Sequence, residues 1–191
     1  MLVDCFEVLK TAKRPVIIYG AGIHLAHAEI EALTLASILS VPVATTWGAR
    51  DLMLDDDKLN IGGFGTHGTR YANFAVQNAD WILSVGSRLD SKATGTPVSS
   101  FARQAKIFMV DIDQAELDKF GERINGICQD ARLFLKEAIQ NLEYSSAYEK
   151  YGDWIYQIEK WKEKYPACLP EYYREEGINP YVFVGKLSDM L

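Results

Sequence analysis

Short apolar runs that alternate with amphipathic stretches dominate residues 1–142 of this chain of 191 residues. The runs at residues 16–20, 81–86 and 106–111 contain β-branched side chains and end at a glycine or an aspartate. Strands that are apolar on both faces are typical of a parallel sheet covered by helices on both sides. The pattern predicts an α/β fold, namely a Rossmann-like, doubly wound parallel sheet.

Two further strands and three helices complete the predicted pattern. We predict strands at residues 41–46 and 124–129, which gives a sheet of five strands. Residues 47–66 are predicted to form a long loop, and loops of that length in α/β domains usually carry function. The connecting helices are predicted at residues 25–39, 68–78 and 131–142, with Asp130 as the N-cap of the last.

The composition changes after Leu142, and we divide the chain there into a domain, 1–142, and a helical linker region, 143–191. Nine tyrosines and tryptophans fall between residues 144 and 173. One helix is predicted at 147–164, with Trp154, Ile158 and Trp161 on one face. A second helix is predicted from Pro180 to the end, since proline suits the first turn of a helix. Aromatic side chains at helical spacing in an acidic chain indicate packing rather than a nucleic-acid surface.

The charge of the chain excludes one class of partner. The formal net charge is −6 and the isoelectric point is about 5.1, so no basic surface for nucleic acid is expected. No apolar run approaches the roughly 18 residues of a membrane span. The first residues carry charges without the apolar core of a signal peptide. With three widely separated cysteines as well, we predict a cytoplasmic protein that contacts neither nucleic acid nor membrane.

Motifs that suit a nucleotide follow several of the predicted strands. Gly-Ala-Gly at 20–22 ends the first strand, where glycine lets backbone amides approach an anion. Gly-Ser-Arg-Leu-Asp at 86–90 follows the third strand, and an arginine there can pair with a diphosphate. Asp111 and Asp113 follow the fourth strand, where a carboxylate can accept from ribose or ribityl hydroxyls. Because the carboxyl ends of parallel strands share one edge, the motifs together predict a nucleotide-binding cleft.

Each motif also has a structural interpretation. The Gly-Ala-Gly segment is equally compatible with a tight turn that binds nothing, and Asp111 and Asp113 taken alone favour helix capping. A complete dinucleotide fingerprint needs a third glycine where Leu25 stands and an acid near residue 46, which argues against an NAD-dependent dehydrogenase. The three histidines lack the ligand set of a zinc site, and no hydrolase motif is present.

The order of these motifs resembles the central domain of thiamine-diphosphate enzymes, in particular the acetolactate synthase large-subunit group. The resemblance rests on residues 13–22, 65–90 and 110–113 and covers about residues 5–140. Its most specific part runs Gly-Thr-His-Gly, then Ala-Val-Gln-Asn-Ala-Asp, then Gly-Ser-Arg-Leu-Asp. The resemblance implies a DHS-like NAD/FAD-binding domain. Residues from 178 onward resemble the linker and first helix of the thiamine-diphosphate-binding domain that follows in the family.

In acetolactate synthases the central domain binds FAD at the strand ends, and relatives bind ADP, AMP or nothing there. This sequence departs from the family pattern at Trp47-Gly48-Ala49, at Lys92, where the family has arginine, and at Gln129, where it often has glycine. Carried over by position, the cofactor contacts implied are Gly20, Ala21, Gly22, Thr46, Trp47, Gly48, Gly65, Thr66, His67, Gly86, Ser87, Arg88, Asp90, Lys92, Asp111 and Ile112.

The resemblance also implies a larger parent enzyme with three domains. Thiamine diphosphate and Mg²⁺ are held in the other two domains of that family, and neither the catalytic glutamate motif nor the Gly-Asp-Gly motif is found here. We therefore expect a fragment that contains no catalytic or metal-binding residue and is inactive alone. The parent is expected to decarboxylate a 2-oxo acid such as pyruvate and pass on the two-carbon unit. Its expected partners are the missing domains and further copies in a dimer or tetramer.

Three alternatives stay open from the sequence. The domain can be a scaffold for oligomerisation with an empty cleft, or the ADP-binding domain of a related thiamine-diphosphate decarboxylase. A more distant alternative is an NAD-binding domain of the deacetylase or transhydrogenase type, which shares the general fold. If the end of the chain lies against a neighbour in the parent, apolar surface there should be exposed.

Overall fold

The sheet of this protein has six parallel strands, seen in a computed structural model that describes residues 2–142 and 150–190. The strands are β1 (Pro15–Tyr19), β2 (Val43–Thr45), β3 (Asn60–Gly63), β4 (Trp81–Val85), β5 (Lys106–Asp111) and β6 (Ile124–Cys128). Their order across the sheet is β3-β2-β1-β4-β5-β6, and every neighbouring pair is parallel. The predicted fold class is therefore confirmed. The strand order reverses between β1 and β4, which is where a doubly wound sheet binds ligands.

Helices cover both faces of the sheet. The longer helices are α1 (Leu2–Leu9), α3 (Glu29–Leu39), α4 (Arg70–Asn78), α7 (Ala131–Asn141), α8 (Gly152–Lys164) and α9 (Pro180–Ser188), and the shorter ones are α2 (Gly22–Leu25), α5 (Ser91–Thr94) and α6 (Gln114–Asp118). One core joins α1, α3 and α7 to side chains such as Ile17 and Leu83, and the other joins α4, α6 and α8 to Ile18 and Ile82. Alternate residues of each strand thus enter opposite cores, as a sheet buried on both faces requires.

The predictions of five strands and of a continuous loop at 47–66 are wrong, because residues Asn60–Gly63 form the strand β3. It pairs with β2 at the edge of the sheet, and Ile61 is buried at its centre. The sequence Asn-Ile-Gly-Gly contains one apolar side chain, and two glycines weaken the intrinsic preference for a strand. Its formation therefore depends on pairing with β2, which the local pattern does not reveal.

The helix predicted at 25–39 is also wrong, because the structure divides it into α2 and α3. His27 adopts the left-handed conformation with φ of 51°. The amide of Ala28 donates to the carbonyl of Ile23 at 2.9 Å, and that of His27 donates to His24 at 3.0 Å. These bonds end α2 in the manner of a Schellman motif. Leu25, predicted to be a core position, is consequently 82% exposed.

The boundaries of the other predicted strands, and those of α4 and α7, agree with the predictions to within two residues, which is the ordinary uncertainty of element ends. Helix α9 is shorter than predicted, since it ends at Ser188. The carboxylate of Asp130 accepts the amide of Leu133 at 3.0 Å, which confirms the predicted N-cap of α7. Thr69 caps α4 in the same way, since its hydroxyl accepts the amide of Ala72 at 3.3 Å.

Helix α8 packs against α4 on one face of the sheet. Trp154 and Ile158 are buried there and Trp161 packs beside them, which confirms the predicted face. The indole of Trp154 donates to the carbonyl of Pro15 at 3.1 Å, and the ammonium of Lys162 donates to that of Asn60 at 2.9 Å. The helix begins at Gly152, so the prediction of helix is wrong at Lys150 and Tyr151, and the predicted start at 147 lies outside the described residues.

The region around α9 leaves apolar side chains exposed. None of the residues Pro180–Ser188 is buried, and Ile178 and Met190 are more than four-fifths exposed. The apolar surface expected near the end of the chain is therefore present. Within 2–142 and 150–190, no helix is long and apolar enough to cross a bilayer.

Arg123 holds together the turn that precedes β5. Its guanidinium donates to the carbonyls of Phe101 at 2.8 Å, Ala102 at 2.7 Å and Ala105 at 3.2 Å. We expect Arg123→Ala to lower the free energy of unfolding by about 2 kcal/mol, since the partly buried carbonyls of Phe101 and Ala105 lose this donor, while that of Ala102 keeps the amide of Ala105. Urea denaturation tests this, with Arg103→Ala as the control, because the exposed Arg103 should change stability by less than about 0.5 kcal/mol. Equal losses in the two variants would contradict the role of Arg123.

Candidate functional site

A cavity of about 630 Å³ opens at the carboxyl edge of the sheet, where the strand order reverses. Its volume lies in the range of small-molecule and cofactor sites. The residues after β1, β2, β4, β5 and β6 all contribute to its walls. Of the sixteen predicted contact residues, those that line the cavity are Ala21, Gly22, Thr46, Trp47, Gly48, Thr66, His67, Gly86, Ser87, Arg88, Asp90, Lys92, Asp111 and Ile112.

Gly20 and Gly65 are the two predicted residues that do not line the cavity. A Cβ on Gly20 would stand 2.3 Å from the carbonyl oxygen of Gly86, and one on Gly65 would stand 2.6 Å from that of Lys92. Both glycines therefore let neighbouring chain segments approach each other. Glycine is needed at these two positions of the family motif because the turns that form the cavity pack closely there.

The Gly-Ala-Gly turn packs directly against the turn that follows β4. A Cβ on Gly22 would stand 2.6 Å from the Cα of Gly86, and Gly86 itself has φ of 64°. The amide of Gly22 donates to the carbonyl of Gly86 at 2.9 Å, and that of Gly20 donates to Val85 at 3.1 Å. Two of the three backbone amides of this turn therefore donate to other backbone carbonyls of the protein. The interpretation of the segment as a tight turn predicts such bonds.

Two cationic side chains reach the cavity from the segment after β4. The guanidinium of Arg88 is 74% exposed, and the nearest carboxylate, that of Glu116, is 4.0 Å from its Nε. Glu116 is bound more closely by Lys119, at 2.6 Å. Lys92 makes no side-chain ion pair or hydrogen bond with any described residue. Both cations are therefore available to an anionic ligand.

The aspartates at the strand ends are largely engaged with the backbone. Asp90 caps α5, with one oxygen accepting the amides of Lys92 and Ala93 at 3.0 Å. Asp113 caps α6, and the Oδ1 of Asp111 accepts the amide of Asp113 at 2.9 Å. Of these three, only Asp90 and Asp111 line the cavity. Each has a second carboxylate oxygen that can accept a hydroxyl group.

Apolar side chains form the outer rim of the cavity. Leu25, Trp47 and Ile112 line it and are 82%, 66% and 74% exposed. The indole of Trp47 lies 4.7 Å from the imidazole of His67, centroid to centroid. Gly48 lets this wall approach the Gly-Ala-Gly turn, because a Cβ there would stand 2.7 Å from that of Ala21. The cavity thus combines polar groups at the strand ends with an apolar rim.

Gln129 and Asp130, which are not among the predicted contact residues, line the cavity at the end of β6. The rule that ligands bind at the carboxyl ends of strands, applied to the last predicted strand, would have included them. Phe64 and Leu89 are two further lining residues that were not predicted, and both are buried. Their contribution depends on the fold of the loops and leaves no local signal in the sequence.

Beside the cavity, but not among the residues that line it, His24 links α3 to the segment after Trp47–Ala49 through its two ring nitrogens. His24 Nδ1 lies 2.9 Å from Glu29, and Nε2 lies 3.1 Å from Asp51. The hydrogen bond with Glu29 is the largest cause that raises the pKa of His24, and Asp51 adds to it. Because the two carboxylates face different nitrogens, they cannot converge with His24 on one metal ion. Among residues 2–142 and 150–190, no cluster of three or more histidine, cysteine, aspartate or glutamate side chains is arranged to bind a metal.

The arrangement around His24 predicts a pH dependence of stability. Both nitrogens can donate only in the imidazolium. Since the folded-state pKa is raised, the stabilisation is fully present below the ordinary value of about 6.5 and is lost as the pH rises through the folded-state pKa. Denaturation of the unmodified chain and of His24→Gln should show a small stability difference at pH 5.5 that shrinks by pH 8.5. A difference that does not change with pH would contradict this.

Comparisons with known proteins match the chain to one enzyme family. The model of the family described as "Thiamine pyrophosphate enzyme, central domain" matches residues 2–138. The acetolactate synthase large subunit of Cyanidium caldarium is 34% identical over 180 residues, which is 91% of this chain and 31% of the relative. A probable acetolactate synthase large subunit of Methanococcus aeolicus is 34% identical over 193 residues, with 97% and 32% covered. The chain thus spans about a third of the length of these curated relatives.

Proposed function

This chain belongs to the family of thiamine pyrophosphate enzyme central domains, and from that premise we propose that its cavity binds FAD within an enzyme of the acetolactate synthase type. The observation that carries the proposal is that a cation paired only at 4.0 Å, Arg88, and an unpaired cation, Lys92, lie beside an exposed apolar rim at the switch point of the sheet. A diphosphate requires the first feature, and a flavin ring requires the second.

The charged groups of the cavity fit the diphosphate of a dinucleotide. Arg88 and Lys92 would hold it, since neither cation is paired with a carboxylate at short distance. Arginine offers a planar fork of donors, and lysine offers a point charge that adapts to several positions. The unused oxygen of Asp111 would accept a ribose or ribityl hydroxyl.

The apolar rim favours FAD over ADP as the ligand. Leu25, Trp47 and Ile112 together expose a surface that ADP, with its single aromatic ring system, would leave largely in water. The flavin ring of FAD would cover this surface and gain about 25 cal/mol for each Å² of apolar area removed from water. We propose that a flavin bound here has a structural role.

The activity of the whole enzyme forms the second part of the proposal. We propose a thiamine-diphosphate-dependent enzyme that decarboxylates a 2-oxo acid and transfers the two-carbon product. The family match and the relatives' name, acetolactate synthase, support this proposal. Its thiamine diphosphate and Mg²⁺ would be bound by residues other than those of this central domain. The exposed apolar side chains around α9 support contacts with further domains or further copies of the chain.

Calorimetric titration with FAD and with ADP tests the proposal. We expect saturable binding of FAD with one site per chain and at least tenfold weaker binding of ADP. Equal affinities would indicate that the rim contributes nothing and that the ADP-binding alternative is correct. Absence of binding by either nucleotide would favour the alternative in which the domain is a scaffold with an empty cleft.

A further inference from the structure

A second groove, of about 930 Å³, lies at the opposite edge of the sheet from the nucleotide cavity. Its walls are the segment Lys10–Arg14 before β1, Asn78 before β4, Gln104 before β5, and one side of α8. These chain segments all precede their strands, so the groove lies at the amino ends and shares no residue with the first cavity. It is therefore an independent feature of the surface.

The groove is basic although the chain is acidic overall. Four cationic side chains line it, against a single lining carboxylate, Asp153, in a chain of formal net charge −6. The cations are Lys10, Lys13, Arg14 and Lys150. Lys10 is paired with Glu7 at 2.6 Å. The other three make no ion pair with any residue of the described chain, and the nearby Asp80 accepts the backbone amides of Lys13 and Arg14 at 2.9 Å.

Two of the unpaired cations are held in place by neutral groups. The Nε of Arg14 donates to the carbonyl of Asn78 at 2.7 Å, and its Nη2 donates to the Oε1 of Gln104 at 2.9 Å. The ammonium of Lys150 donates to the carbonyls of Leu9 and Lys10 at 3.2 and 2.8 Å. These bonds satisfy backbone carbonyls at the C-terminal ends of α4 and α1. Because carbonyls and side-chain amides are neutral, the positive charges of Arg14 and Lys150 are not neutralised. Partial burial also lowers the pKa of Lys150.

Capping of helix ends does not account for the whole groove. The Nη1 of Arg14 has no partner among the described residues, and the ammonium of Lys150, which lies 5.1 Å from the centroid of the Tyr151 ring, makes no ion pair with them. The side chain of Lys13 is exposed and has no partner in the same part of the chain, so it has no structural role there. Cations whose conformations are already fixed lose little entropy when they bind an anion.

We propose that this groove is a second ligand site, which binds a small molecule carrying a chain of phosphate groups. Lys13, Arg14 and Lys150 all line the groove, and three cations suit a ligand with several negative charges better than a ligand with one carboxylate. Gln104 and Gln157 line the groove and add amide donors, and the partly buried indole of Trp161 adds an apolar wall. The site is distinct from the nucleotide cavity and does not depend on it.

Titration with inorganic tripolyphosphate at low ionic strength tests the site. We expect saturable binding that weakens about threefold to fivefold in Lys13→Gln and at least tenfold in Lys13→Gln/Lys150→Gln. Binding should also weaken as salt is added, because the contacts are exposed to screening. Lys13→Gln is the decisive single variant, since its side chain supports no other contact and the fold should be unaffected.

Two control variants separate this site from other surfaces. Lys160→Gln removes a cation of α8 that lies over Tyr156 outside the groove, and tripolyphosphate affinity should not change. Arg88→Gln removes a cation of the nucleotide cavity, and groove binding should persist. Equal affinities for ATP and tripolyphosphate would show that the phosphate groups alone account for binding. A higher affinity for ATP would show that the base also contacts the groove. Absence of saturable binding, or loss of binding in Arg88→Gln alone, would overturn the proposal.

Discussion

Gly86→Ala is expected to lower the free energy of unfolding by about 4 kcal/mol and to abolish nucleotide binding. Gly86 has φ of 64°, a conformation that costs an alanine about 1–2 kcal/mol. A Cβ there would also stand 2.8 Å from the Cα of Gly22 and 3.0 Å from the amide nitrogen of Ile23. Because both neighbours are backbone atoms of the opposite turn, the clash can be relieved only by separating the two turns that form the cavity.

Gly121→Ala is the matched control for this prediction. Gly121 also has positive φ, 50°, but a Cβ added there would meet no atom within 4 Å. This variant should therefore lose only the cost of the positive φ, about 1–2 kcal/mol, and retain nucleotide binding. Urea denaturation of the two variants separates backbone strain from close packing. Equal losses of stability would contradict the role of the Gly22–Gly86 contact.

Arg88→Ala is expected to weaken FAD binding by about 10-fold to 100-fold, which corresponds to about 1.4–2.7 kcal/mol. The guanidinium is the donor best suited to a diphosphate, and only the 4.0 Å contact with Glu116 competes for it. Stability should change by less than about 0.5 kcal/mol, because the side chain is 74% exposed. Calorimetric titration and denaturation of the same preparation measure both quantities.

Two further variants show whether a loss in Arg88→Ala is specific. Arg174→Ala removes an exposed cation from residues remote from both cavities, and FAD affinity should not change. Arg88→Lys keeps the charge and loses the planar fork, so we expect an intermediate affinity. If all three variants bound FAD like the unmodified chain, Arg88 would not contact the ligand.

The sequence predicts the sheet and the edge that carries the site, because both follow from local patterns. Apolar runs of five or six residues identify β1, β4 and β5, and the rule about carboxyl ends then brings distant motifs together. The same reasoning fails at β3, whose two glycines hide a strand that exists through pairing, and at His27, where a left-handed residue ends α2.

The detailed chemistry of the site is less accessible from the sequence. Gly20 and Gly65 match the family motif, yet each provides space for a neighbouring segment and neither lines the cavity. One carboxylate oxygen of Asp90 accepts backbone amides at the N-terminus of α5, which the motif alone does not reveal. The basic groove cannot be predicted from local sequence patterns, because its cations come from segments more than a hundred residues apart.

Hydrogen–deuterium exchange with and without FAD tests the central claim most directly, because it locates the ligand on the chain. We predict slower exchange in peptides that cover residues 20–26, 46–48, 86–93 and 110–112, with no change at 10–14 or 150–161. Protection confined to the basic groove, or no protection at saturating FAD, would contradict the assignment of the strand-end cavity as the nucleotide site.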